Sequence, residues 1–272
     1  MTLPAPAPDR TALVTGASSG IGAELARELA RRGHGLTLVA RREDALRELA
    51  AELSTAHGTR NEVIGADLAD PGSRADVVAE VAARGLTVDV LVNNAGLSTS
   101  GPVHTSDVDA ELRMVRLDVE AVVELCTRVL PGMVERRRGA ILNVASVGGF
   151  QPLPGQAGYG ASKAFVLSYT DSLHAELAGT GVTATSLCPG PVATGFGEVA
   201  GISQDEAESA LPRFMWETAE AVARAGIAGL DRGRSVVIPG AANVVGAYAG
   251  RVLPNSLLLP ILARQHPSLK RS

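Results

Sequence analysis

Cysteine is almost absent: the 272-residue chain has only Cys126 and Cys188. Both lie in apolar stretches with no Cys-x-x-Cys and no neighbouring histidine cluster, which excludes a disulfide framework and predicts two buried, reduced thiols. Reduced thiols in turn predict a cytoplasmic protein. Histidine is sparse too. His34, His57, His104, His174 and His266 are scattered, without the His-Glu-x-x-His spacing of zinc hydrolases, so no metal site is expected. Positive charge is in deficit, with 25 basic against 29 acidic side chains and a net charge of -4, which leaves no basic surface for nucleic acid. No uninterrupted apolar run reaches the ~20 residues of a membrane span. The opening MTLPAPAPDR lacks the apolar core of a signal peptide, and residues 1–9 read as a disordered leader. Hydrophobic residues at 46% and charged ones at 20% are an ordinary globular balance. With no repeat and no second composition regime, residues 10–272 are expected to form a single domain.

What the chain has is alternation of strand and helix patterns. The apolar run Thr11–Thr15 meets Gly16-Ala17-Ser18-Ser19-Gly20-Ile21-Gly22 and then a helical pattern through Arg32. Glycines at 16, 20 and 22 allow a sharp turn, close approach to a pyrophosphate, and packing of the new helix on the sheet with its first amides toward the phosphates. Further apolar runs end at Ala40, at Asp67-Leu68, at Asn93-Asn94-Ala95-Gly96, at Ser146 and at Cys188, and a last one spans Ser235–Pro239. Helical patterns lie between them at 107–137, from Tyr159 to about Gly179, and from Thr218 to about Leu230. This order predicts an α/β, Rossmann-like, doubly wound parallel sheet of about seven strands with helices on both faces. Ligands of such sheets bind at the carboxyl ends of the strands.

Two features there carry chemistry. At the end of the second strand no carboxylate stands at Ala40 to meet a free ribose hydroxyl, and Arg41 with Arg42 offers forks suited to a 2′-phosphate, so NADP(H) is expected over NAD(H). Tyr159 and Lys163 stand four positions apart on one helix face. Bringing a phenol from about 10 to about 7 takes ~4 kcal/mol. A unit charge ~4 Å away in a partly screened site supplies that amount.

Ser146 thirteen residues upstream, the glycine turn and the Tyr159/Lys163 pair together resemble the short-chain dehydrogenase/reductase family over nearly the whole chain. The turn has that family's Gly-x-x-x-Gly-x-Gly form. The resemblance implies hydride transfer between nicotinamide and a carbonyl carbon, with Tyr159 exchanging the proton, Ser146 bonding the same oxygen, and Lys163 tuning the tyrosine and binding the nicotinamide ribose. It implies cofactor contacts from Gly16, Ser18, Ser19, Gly20, Ile21 and Gly22. It adds Asp67 at the adenine with Leu68 beside it, Asn94, Ala95 and Gly96 around the ribose, and Pro189, Gly190, Val192 and Thr194 at the nicotinamide. Asp118 departs from the pattern, because the family usually has asparagine there, helping to hold a water near the lysine. Either its side chain is incidental, or its carboxylate approaches Lys163 through a water and opposes part of the lysine's effect. Leu112, Val115, Val119, Val122 and Val123 are spaced to form the buried face of that helix.

Residues 195–216 read as a substrate lid, and Phe150, Leu153, Phe196 and Trp216 as an apolar pocket wall for a small carbonyl or alcohol substrate. The apolar segment 243–265 is broken by Pro254 and Pro260. It is expected over the substrate site or at a subunit interface, with interfacial membrane contact as the alternative. A homodimer or homotetramer is what the resemblance implies. The rival to an NADP-preferring alcohol dehydrogenase or carbonyl reductase is a non-catalytic NADP(H)-binding sensor. A serine hydrolase would need a Gly-x-Ser-x-Gly elbow that Ser146 lacks.

Overall fold

The computed structural model describes residues 3–193, 212–265 and 269. Seven strands form one parallel sheet: β1 (Arg10–Thr15), β2 (Leu36–Ala40), β3 (Asn61–Gly65), β4 (Thr87–Asn93), β5 (Gly139–Val144), β6 (Val182–Leu187) and β7 (Val236–Val237). Their order is β3-β2-β1-β4-β5-β6-β7, so the chain reverses its direction of travel across the sheet between β1 and β4. That switch point is where a crevice opens beyond the strand ends. β5 and β6 are buried along their whole length; β5 is nearly all apolar, as expected of a central parallel strand, while β6 buries Thr183, Thr185 and Ser186 as well.

Helices cover both faces. One face is packed by α1 (Gly20–Arg31), α2 (Glu43–His57) and α7 (Ala219–Asp231), whose Leu25, Leu46 and Ile227 join Val14 and Leu142 in one core cluster. The other is packed by α3 (Pro71–Ala83), α5 (Ala121–Glu135) and α6 (Ala157–Glu176), through Val77, Leu125 and Val166 around Leu13 and Ile141. The starts of α3 and α7 are written in the sequence, since Asp70 accepts from the Ser73 amide and Thr218 from the Ala221 amide. Between the sheet and α5–α6 lies a dry polar layer. Asn93 Nδ2 donates to Asn143 Oδ1 at 2.8 Å, and Asn143 Nδ2 to Thr170 Oγ1 at 2.9 Å.

Three expectations need correction. The described part of the leader is not loose: the Leu3 amide donates to Asp231 Oδ1 at 2.7 Å and the Ala5 carbonyl accepts from Arg138, so side chains of the body satisfy its backbone. The last strand is two residues long, not five. The apolar segment makes two helices, α8 (Ala241–Val252) and α9 (Asn255–Gln265). No helix among the described residues is long and apolar enough to cross a membrane. The 107–137 pattern is α4 (Val108–Val115), a π-helical turn over Arg116–Glu120, then α5. A π turn takes more residues than an α turn, so the buried face changes phase there. Leu112 and Val115 are 46% and 37% exposed, whereas Val122 is buried as expected, and Met114, Asp118, Ala121, Leu125 and Met133 also face inward.

Candidate active site

The glycine turn leaves β1 and enters α1 at the switch point. Gly16 and Gly20 have φ of 65° and 56°, which a side chain would strain. A Cβ on Gly22 would lie 2.3 Å from the Gly16 carbonyl oxygen, so the turn folds on itself only without one. Asn94, at the end of β4, clamps it: its Nδ2 donates to Thr15 O at 3.0 Å and Gly16 O at 3.2 Å. The Ala95 amide donates to Thr15 Oγ1. Ser19 makes no side-chain cap and the first turn of α1 holds no acidic residue, so the amides of Gly20, Ile21 and Gly22 face the crevice without an internal anion. This cradle fits a pyrophosphate.

Beside it, Arg42 Nη2 donates to both Ser18 O and Ser18 Oγ, at 3.1 and 3.2 Å, while Arg41 stands exposed at the end of β2. The pair therefore divides its work: Arg42 is tied to the turn and Arg41 is open to solvent. Asp67 accepts from Arg113 and, at 3.1 Å, from the Ala69 amide. Burial pushes its carboxyl up, but those bonds and the charges of Arg113 and Arg41 outweigh burial and hold it below the ordinary carboxylate range. Leu68 is buried in the core, which leaves its backbone to face the crevice.

At the end of β5, Ser146 Oγ accepts from the Gly148 amide at 3.0 Å and is hydrogen-bonded to Tyr159. Lys163 Nζ lies 5.6 Å from the Tyr159 ring centre and donates to Val144 O at 3.2 Å. The sequence leaves Asp118 either incidental or near this lysine through a water; the structure has neither, but a direct ion pair, Nζ to Oδ2 at 3.0 Å. Asp118 is 0% exposed, and its other oxygen accepts from the Leu97 amide at 2.7 Å. The π turn carries Asp118 inward to this position. Gly96 is required beside it, since a Cβ there would sit 3.3 Å from Lys163 Nζ and 3.4 Å from both Asp118 oxygens.

The three groups titrate against one another. Burial pulls the Lys163 ammonium down, but Asp118 and then Tyr159 outweigh it, so its pKa stands above the ordinary value. Burial pushes the Tyr159 phenol up; Lys163 and Ser146 pull it back, Asp118 pushes it up again, and the net direction is upward. Burial likewise raises the Asp118 carboxyl against the pull of Lys163 and the Leu97 amide.

The remaining candidates are only partly gathered. Pro189 O accepts from the Val147 amide at 3.0 Å, Gly190 lies against Asn243, and Val192 bridges to Glu217. Phe150 and Leu153 line a cavity of about 550 Å³ with Gly160, Ala161 and Ala164, on the side of α6 turned away from Lys163. Trp216 is half-buried and not in that lining. Thr194, Phe196 and most of the expected lid lie outside the described residues. Gln156, whose Nε2 donates to Ser98 Oγ at 2.8 Å, was not foreseen, and no spacing in the sequence signals it.

A buried ammonium that loses its carboxylate is costly, so Asp118→Ala should lower stability by about 3–5 kcal/mol in urea unfolding at neutral pH. Adding Lys163→Met should recover a large part of that loss. A neutral single substitution would show that the pair contributes nothing.

The chain matches the family model described as short chain dehydrogenase over residues 10–204. It is 34% identical over 267 residues to the very-long-chain 3-oxoacyl-CoA reductase of Anas platyrhynchos, covering 95% of this chain and 80% of the relative. A short-chain dehydrogenase from Sphingobium yanoikuyae, solved in complex with NADPH, superposes with a TM-score of 0.79 at 36% identity, covering 92% of this chain and 95% of that one. The bulky-bulky ketone specific alcohol dehydrogenase of Comamonas testosteroni gives 0.74 at 30% identity, covering 97% and 93%. The family model spans well over half of the chain and the 34% identical relative is matched over 95% of it, so the chain belongs to the short-chain dehydrogenase/reductase family of oxidoreductases.

Proposed function

We propose that the protein is an NADP(H)-dependent carbonyl reductase whose substrate is a ketone with bulky apolar substituents. The observation that carries this reading is the Ser146, Tyr159, Lys163 and Asp118 arrangement at the switch point beside an uncapped, carboxylate-free phosphate cradle. The substrate class is supported by relatives named for 3-oxoacyl-CoA and for bulky ketones.

NADPH supplies the hydride. Gly16 to Gly22 would hold its pyrophosphate, Arg41 and Arg42 its 2′-phosphate, Asp67 the adenine, Asn94 to Gly96 the ribose, and Pro189, Gly190 and Val192 the nicotinamide side. Ser146 donates to the substrate carbonyl oxygen and fixes it beside Tyr159, whose hydroxyl gives up its proton as negative charge develops there. Lys163 stabilises the phenolate that remains, and Asp118 keeps Lys163 charged while cancelling part of its field at the phenol. The consequence is a tyrosine that holds its proton through neutral pH, which suits donation and hence reduction. Exposed Val108, Leu112 and Val115 on α4, with Phe165 on α6, support pairing of these helices in a homo-oligomer.

Tyr159→Phe deletes one oxygen and should abolish most NADPH-dependent turnover across a panel of apolar ketones while leaving cofactor binding intact; full activity would move the chemistry elsewhere. Arg41→Ala should weaken NADPH by about 1–3 kcal/mol, the scale of a charged hydrogen bond, and leave NADH nearly unchanged in fluorescence titration. Equal losses would remove the 2′-phosphate assignment. Asp118→Asn takes a negative charge from beside the phenol, which stabilises the phenolate and lowers the tyrosine pKa. The acid limb of alcohol oxidation, which needs phenolate, should therefore move to lower pH, and the alkaline limb of reduction should move the same way. Superimposable profiles would make Asp118 a bystander.

A further inference from the structure

Helix α8 is amphipathic the wrong way round for a helix packed on a protein. Its inward side presents Asn243, Ala247 and Gly250, while its outward side presents Val245, Tyr248 and Val252, with Val245 and Val252 70% and 80% exposed. α9 likewise leaves Leu257 and Ile261 exposed. The short turn Arg213–Met215 is fastened to α8 through Met215 O, which accepts from Asn243 Nδ2 at 3.0 Å, and it holds out Phe214, 74% exposed. A connected apolar surface of this kind normally has an occupant.

The charge on the face says which occupant. After Asp231 the sequence contains no acidic residue, although the whole chain is acidic, and the exposed bases on this face are Arg251 and Arg264. A two-fold contact between copies would set these arginines against each other, and neither α8 nor α9 carries a carboxylate to pair them. Bases bordering aliphatic and aromatic side chains instead match an anionic lipid surface, where the apolar groups enter the acyl boundary and the guanidinium groups stay at the headgroups. Neither helix is long enough to span, which agrees with lying in the interface.

We propose that the outward face of α8 and α9, with Phe214, docks the protein onto anionic membrane surfaces. The same face leads inward: the Tyr248 ring meets the Phe150 ring edge-on at 5.8 Å, and Phe150 lines the apolar cavity. Docking thereby sets that cavity beside the lipid. The inference rests on exposure and charge, and stands whether or not the proposed ketone chemistry is correct.

Flotation of the full chain with vesicles tests it. The protein should float with phosphatidylcholine vesicles containing phosphatidylglycerol, less with pure phosphatidylcholine, and less again as salt rises. Val252→Glu with Leu257→Glu, both at exposed positions, should cut the bound fraction about tenfold or more with an unchanged melting temperature. Arg251→Gln with Arg264→Gln should weaken binding to the anionic vesicles about fivefold per charge removed, and leave binding to neutral ones unchanged. The arginine pair serves as the test if the glutamate pair fails to fold. Absence of flotation with anionic vesicles, or wild-type binding by the variants, would overturn the proposal. So would a lipid-free dimer in light scattering that the glutamate pair dissociates, because the face would then belong to a second copy.

Discussion

Two opposite charges held 3.0 Å apart without access to water join four parts of the chain. Asp118 comes from the π turn, Lys163 from α6, the carbonyl that takes a second ammonium proton from the end of β5, and the amide that takes the other carboxylate oxygen from the loop after β4. Desolvating two ions costs several kcal/mol each, and their attraction offsets this only when the remaining lone pairs and protons are also satisfied. The Leu97 amide serves one carboxylate oxygen and the Val144 carbonyl one ammonium proton, while Oδ2 has the ion pair alone, so the loop after β4, the end of β5 and both helices are tied to the position of this pair. Tyr159, four residues from Lys163 on α6, inherits its position from that arrangement. The geometry of the proton-transfer group thus follows from an electrostatic requirement in the layer beneath it.

A second set of charges works on the opposite side of the crevice under different conditions. Arg42 is anchored to Ser18 while Arg41 is not, and Asp67 is already engaged by Arg113. These groups are partly exposed, so each pair is worth little as stability. Their effect is arrangement: positive groups stand at the end of β2 and the one nearby carboxylate is neutralised by its own partner. An acidic Asp67 left free would oppose a phosphate at Arg41; paired with Arg113, it opposes it less.

Much of this was legible because it depends on short-range chemistry. The strand-turn-helix at Gly16 to Gly22 follows from glycines that have no sterically permitted substitute, and the parallel sheet follows from the alternation of strands and helices. What escaped the sequence was phase and contact. Leu112 and Val115 were assigned to the core because an α-helical period was carried through residues 116–120, where the backbone makes a π turn. The direct contact of Asp118 with Lys163 was missed for a related reason, since two residues forty-five positions apart meet only after that turn rotates one of them inward. The leader was misread because its proline content says nothing about distant partners such as Asp231 and Arg138.

The outward face of α8 belongs to the same argument about what a sequence period can say. Apolar residues at 245, 248 and 252 have helical spacing and read as a core stripe, yet the stripe that is buried is Asn243, Ala247 and Gly250. The inward contacts decide this. Gly250 is needed because a Cβ there would overlap the Gln151 side chain, and Asn243 because its amide serves both Met215 O and Pro239 O at 3.0 Å. Larger apolar groups cannot be accommodated on that side, so the valines and the tyrosine are turned out by close packing rather than drawn out by solvent. A helix whose apolar side is excluded from its own protein keeps the full hydrophobic free energy of that side available for another surface, and the chain has placed it next to the apolar cavity behind Phe150.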